Sequence, residues 1–107
     1  MKRARAHEAP DHLSDRSKAL WHQLVPSRAK SPGRLAMIRI ALEDLDLHDQ
    51  AREEVGRSGL TFVTATTQAV HIHPLLRVAA EAHARFVTLW KQLDFVFDEQ
   101  IDEQLNE

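Results

Sequence analysis

Between positions 34 and 58 apolar residues return every third or fourth place: Leu35, Ile38, Leu42 and Leu45 share one face, and Ile40, Leu47, Ala51 and Val55 broaden or rotate it. That period predicts a long amphipathic helix. The stripe is wider than one neighbour covers, so it calls for two contacts: an earlier helix on one side, and either a second subunit or another part of the same chain on the other. Gly59 is placed to end the helix, because glycine accepts the backbone conformation that a branched residue resists. The period then changes. Residues 60–72 alternate apolar and polar at every second position and are rich in Thr, Val, Phe and Ile, which predicts a β-hairpin. A lone hairpin is not stable in water, so the flanking helices or a neighbouring subunit must cover it.

Helical spacing resumes after Pro74, which suits a first helical position with His73 as the cap. Leu75, Ala79, Ala82, Phe86, Leu89 and Leu93 follow three and four apart, and Phe97, Ile101 and Leu105 continue at four. The pattern predicts a helix carried through residues 94–107 with a possible break at Asp94, long enough to protrude unless it packs against copies of itself. Upstream, residues 1–10 are basic and without apolar period, and read as a flexible tail. Ser14, or alternatively Asp11, caps a first helix whose apolar stripe is Leu20, Trp21 and Leu24. Pro26 should end it, and residues 27–33 form a turn. The expected fold is therefore mainly α: a helical domain over residues 11–93, a β-hairpin at about 60–72 inserted between the second and third major helices, and a long C-terminal helix, with residues 94–107 forming an acidic helix or tail.

At 107 residues and 12.2 kDa the chain suits one domain, burying roughly two thirds of its extended-chain surface. No apolar run approaches a membrane span of about 20 residues, and no signal-peptide core follows the basic N-terminus, so a soluble, intracellular protein is expected. The absence of cysteine excludes disulfides and thiolate chemistry. Net charge is only −2, but it is unevenly spread. Residues 1–34 hold eight Lys or Arg against three acids, the rest six against thirteen, and residues 94–107 hold six acids and no Lys or Arg. One end suits a polyanion, and the other repels it.

Catalytic signatures are missing: there is no phosphate loop, no G-x-G-x-x-G and no H-E-x-x-H. The chain reads as a non-enzyme without a cofactor. Glu43, Asp44, Asp46 and Asp49 fall where a solvated helix surface explains them. His71 and His73 would share a strand face, as a zinc pair might, but the other histidines are scattered and no metal site is assigned. Trp21 and Trp90 sit among apolar neighbours at helical spacing and read as core. The basic residues Lys2, Arg3, Arg5, Arg16, Lys18, Arg28, Lys30 and Arg34 are the candidate DNA contacts, since phosphates need only positive charge on a reachable surface. The same residues also suit a solubilising face.

Three landmarks in order resemble a known family: His12-Leu13-Ser14 with Ala19-Leu20-Trp21 and Leu24-Val25-Pro26, then Glu54-Val55-Gly56-Arg57-Ser58-Gly59, then His73-Pro74-Leu75 ahead of an Ala-rich helix. Over about residues 11–93 this is similar to the small terminase subunit of tailed double-stranded DNA bacteriophages. The sequence departs from the family in having no glycine at Ala65-Thr66-Thr67, and in lacking a Gly-Leu-Thr-Pro-like segment after Leu93. The resemblance implies a non-catalytic DNA-packaging protein in the host bacterial cytoplasm. It would bind double-stranded viral DNA, form a homo-oligomeric ring and regulate the large terminase subunit, which carries the ATPase and nuclease. Phe62, Val70, Ile72, Leu76, Phe86, Leu89 and Trp90 are the candidate ring-interface residues. The alternative is a small helical adaptor that binds a protein partner without DNA.

Overall fold

A computed structural model describes residues 8–59, 61–63 and 70–95, the side chains of 61–63, 70 and 71 excepted. Ser14 caps helix α1 (Asp15–Arg28): its extended backbone leaves the side-chain oxygen free to accept the Ser17 amide, satisfying one of the donors every helix start leaves open. Pro26 lies inside α1 rather than ending it. It sits in the last turn, where only two more residues follow. Ser31 caps α2 (Pro32–Ser58) by accepting the Arg34 amide, with Pro32 at the first position. Gly59 ends α2 at φ 88, where a side chain would be strained, and its amide closes on Val55. In the last turn the Arg57 guanidinium beside Glu54 holds that carboxyl below its ordinary range, though full exposure makes the pair worth little.

Helix α3 (Leu75–Gln92) begins one residue later than Pro74, and His73 still serves its start, its Nδ1 accepting the Leu75 amide at 3.2 Å. Residues 96–107 lie outside the described residues, and the helix breaks where the sequence allowed it, at Asp94. It stops in a reversing turn in which Asp94 takes φ 67, the Asp94 amide returns to Lys91 and the Phe95 amide to Trp90. Phe95 then closes over the helix end, edge-on to the Trp90 ring at 4.9 Å. Arg34 locks the turn from α2: its guanidinium donates to the Leu93 carbonyl at 2.9 Å and lies 5.7 Å from the Phe95 ring centre.

Three helices carry the fold. α2 lies between α1 and α3 and packs against both, so the wide stripe read from its sequence has both partners within this chain. The core joins Leu20, Trp21, Leu24 and Val25 of α1, Ile38, Ala41, Leu42 and Leu45 of α2, and Phe86, Trp90, Leu93 and Phe95. Each large side chain buried there stabilises the fold by about 1.5–3 kcal/mol. α1 covers only the first part of α2. Beyond it, Ala51 and Val55 of α2 and Ala79 and Ala82 of α3 are buried as well.

The expected fold class therefore needs correction: the domain is a three-helix all-α bundle, and an inserted β-hairpin is not one of its layers. Strand pairing among the described residues is confined to β1 (Thr61–Val63) against β2 (Val70–Ile72), antiparallel with Phe62 opposite His71. Residue 60 and residues 64–69 of the alternating stretch lie outside the described residues. Ile72, whose side chain is described, is 71% exposed instead of covered by a helix. Alternation reported strand-forming residues, but the paired strands add no layer to the helical bundle.

Candidate nucleic-acid interface

The eight basic residues separate into three groups. Lys2, Arg3 and Arg5 lie outside the described residues. Arg16 and Arg34 belong to the fold: Arg16 donates to Asp49 on α2 at 3.0 Å, and Arg34 donates both to the Leu93 carbonyl and, at 2.7 Å, to that of Arg28. Lys18, Arg28 and Lys30 remain. Lys18 is half-buried on α1, Arg28 closes that helix with a bond to the Ser27 hydroxyl, and Lys30 is exposed in the turn. Lys18 stands about 15 Å along the helix from Arg28, so these residues make a sparse row and not a pocket. A row of this kind can meet phosphates.

The acidic residues of α2 do not form the solvated surface expected from sequence. Asp46 is 6% exposed and accepts the Ser14 amide at 2.8 Å, the Ser14 hydroxyl at 2.6 Å and the Ser17 hydroxyl at 2.5 Å. One carboxylate thus fastens the start of α1 to the middle of α2. Asp44 is also buried and takes the Arg85 guanidinium from α3 at 3.0 Å. Glu43 and Asp49 are half-buried, pairing with His12 and Arg16. The signal was present: Asp46 continues the four-residue spacing of Ile38 and Leu42, which places a carboxylate on the core stripe opposite two serines.

The candidate interface residues divide as well. Phe86 and Trp90 are buried in the single chain, their rings stacked at 4.7 Å. Leu76 and Leu89 are half-buried on α3, and Ile72 is exposed. The side chains of Phe62 and Val70 lie outside the described set. Among the described residues no group of three His, Cys, Asp or Glu could hold a metal ion, and no helix is long and apolar enough to cross a membrane. The side chain of His71 is not described, and that of His73 is engaged at the start of α3. No family model matches the chain, and neither does any curated protein or solved structure.

Proposed function

We propose that this chain is a non-catalytic, DNA-binding component of a phage packaging terminase that acts as a homo-oligomer beside the large ATPase and nuclease subunit. The observation that carries this reading is the segregation of charge, eight basic residues within positions 1–34 against an acidic remainder, on a chain whose landmarks resemble the small subunit. Duplex DNA is held through phosphates by the N-terminal tail together with Lys18, Arg28 and Lys30. Assembly in a ring multiplies these weak rows into useful avidity. The exposed surface at Ile72 and Leu76, with Phe62 and Val70 nearby in sequence, is the contact between subunits.

Changing Lys18, Arg28 and Lys30 together to Gln tests the DNA contact while sparing Arg16 and Arg34, whose loss would disturb the fold. Affinity for duplex DNA should fall alike for all sequences, and the slope of log affinity against log salt should shrink by about 2–3. Mobility-shift titrations across salt concentrations measure both. Binding that ignores salt, or no binding at low salt, counts against the proposal. The adaptor reading draws support from the net charge of −2 and from the internal engagement of Arg16 and Arg34. It expects a chain that binds a protein and leaves DNA alone.

A further inference from the structure

Between α2 and α3 a cleft of about 420 Å³ is lined by His48 and Arg52 of α2 and by Leu76, Ala79, Ala80 and His83 of α3. His48 and Arg52 stand four apart in sequence, as do Ala79 and His83, and residues four apart share a helix face. The spacing thus brings two imidazoles and a guanidinium to one opening. The rings of His48 and His83 lie 5.7 Å apart between centroids. No acid is among the described lining residues. Asp49 adjoins His48, but both of its oxygens are engaged: one accepts from His48 Nδ1 at 3.1 Å and the other from Arg16 at 3.0 Å. A carboxylate can only accept, so His48 carries a proton on Nδ1 and leaves Nε2 for a ligand. Arg39, Arg57 and Arg85 on the same two helices each hold an acid. Arg52 is exposed and has no ion pair or hydrogen bond among the described residues, and His83 has none beyond its ring contact with His48.

We propose that this cleft binds a phosphate group. Arg52 supplies the planar fork of N–H donors that matches two phosphate oxygens, and its charge is not already spent on an acid of the fold. His48 and His83, as imidazolium ions, each add a charged N–H donor. Asp49 holds the far side of the His48 ring and so fixes which nitrogen is offered. Gathered without an acid, three groups of this kind repel one another when charged, and an anion among them turns that repulsion into attraction. A divalent cation suits the cleft less well: Arg52 opposes it, and no group of three metal-ligating side chains occurs among the described residues. The ligand chemistry is a phosphate oxyanion, carried either by a free phosphate ion or by the phosphodiester of a nucleic-acid backbone. The site uses none of Lys18, Arg28 and Lys30 and requires neither the ring nor the packaging role, so it stands or falls separately from them.

Imidazole resonances of the full-length protein read the site directly, because five of its seven histidines lie elsewhere and serve as internal references. Inorganic phosphate is titrated at about pH 6, to favour imidazolium, with chloride holding the ionic strength constant. His48 and His83 should shift together and saturate, with half-saturation below about 10 mM. Arg52→Gln, and His83→Gln read at His48, should each raise that concentration at least about 5-fold. Both residues are exposed, so neither substitution removes a core side chain. Lys91→Gln, which removes an equal charge from the exposed last turn of α3, should leave it unchanged. A drift that never saturates, a shift shared by all seven histidines, or an Arg52→Gln protein that binds like the parent would overturn the proposal. A short duplex lacking terminal phosphates then identifies the source: displacement of bound phosphate assigns the site to a backbone phosphodiester, and phosphate that stays bound assigns it to the free ion.

Discussion

Asp46→Ala lowers stability by about 3–4 kcal/mol, an effect comparable to losing a large core side chain although no cavity of that size is made. The carboxylate accepts three donors, the Ser14 amide and the Ser14 and Ser17 hydroxyls, at 2.8, 2.6 and 2.5 Å, and Ser17 is fully buried. Hydrogen bonds to an ionised group contribute about 1.5–3 kcal/mol each, and a donor left buried without a partner costs about 1–3 kcal/mol, although losses within one network do not add fully. The Ser14 cap weakens at the same time, since its hydroxyl is oriented by Asp46 while accepting the Ser17 amide. Against a total of about 5–15 kcal/mol for a typical domain, the variant is close to unfolding, with a fall in Tm of about 15 °C. Asp46→Asn keeps one acceptor oxygen and should lose about half as much. Circular dichroism melts of the three proteins decide it, and a loss below about 1 kcal/mol for alanine means the network is not holding α1.

Trp90 separates size from polarity. Its ring stacks on Phe86, meets Phe95 edge-on and closes the turn after α3, so Trp90→Ala should cost about 3–5 kcal/mol, as deletion of a buried aromatic ring does. The indole nitrogen is buried and has no hydrogen-bond partner among the described residues. An unmet donor costs about 1–3 kcal/mol, so Trp90→Phe, which removes it at the expense of some volume, should stay within about 1 kcal/mol of the parent. Urea unfolding gives both numbers. The pair also tests whether Trp90 belongs to the core or to a subunit contact: a core residue changes stability in the single chain, whereas a contact residue changes the assembly and spares the fold. A stable, monomeric Trp90→Ala protein would restore the interface reading.

Two helix boundaries were legible because they rest on local chemistry: Ser14 and Gly59 each perform the capping expected of them. The apolar periods of α2 and α3 likewise located the core. What stayed hidden depends on contacts far apart in the chain. Nothing near Asp46 in sequence announces that Ser14 and Ser17 will meet it, and nothing near Asp94 announces that Arg34 will reach across to cap Leu93. At the end of α3 the spacing continued with a break allowed at Asp94, and the break is found there. A non-glycine residue at positive φ makes it, held in place by Phe95 and Arg34. The alternation in residues 60–72 misled for the opposite reason. Strand-forming residues pair as Thr61–Val63 with Val70–Ile72, but the bundle is made by the three helices and Ile72 stays exposed.

The candidate site follows the same division. Charge asymmetry was visible from composition, whereas the use of Arg16 and Arg34 as internal ties was not, because each depends on a partner more than 30 residues away in sequence. The surviving row of Lys18, Arg28 and Lys30 is too sparse to hold duplex DNA firmly as one copy, so the packaging role requires repetition of that row around an assembly. Native mass spectrometry of the full-length chain at micromolar concentration addresses that requirement without reference to DNA sequence or partner. A closed ring of many copies is the expected result, and a chain that stays monomeric throughout the range contradicts it.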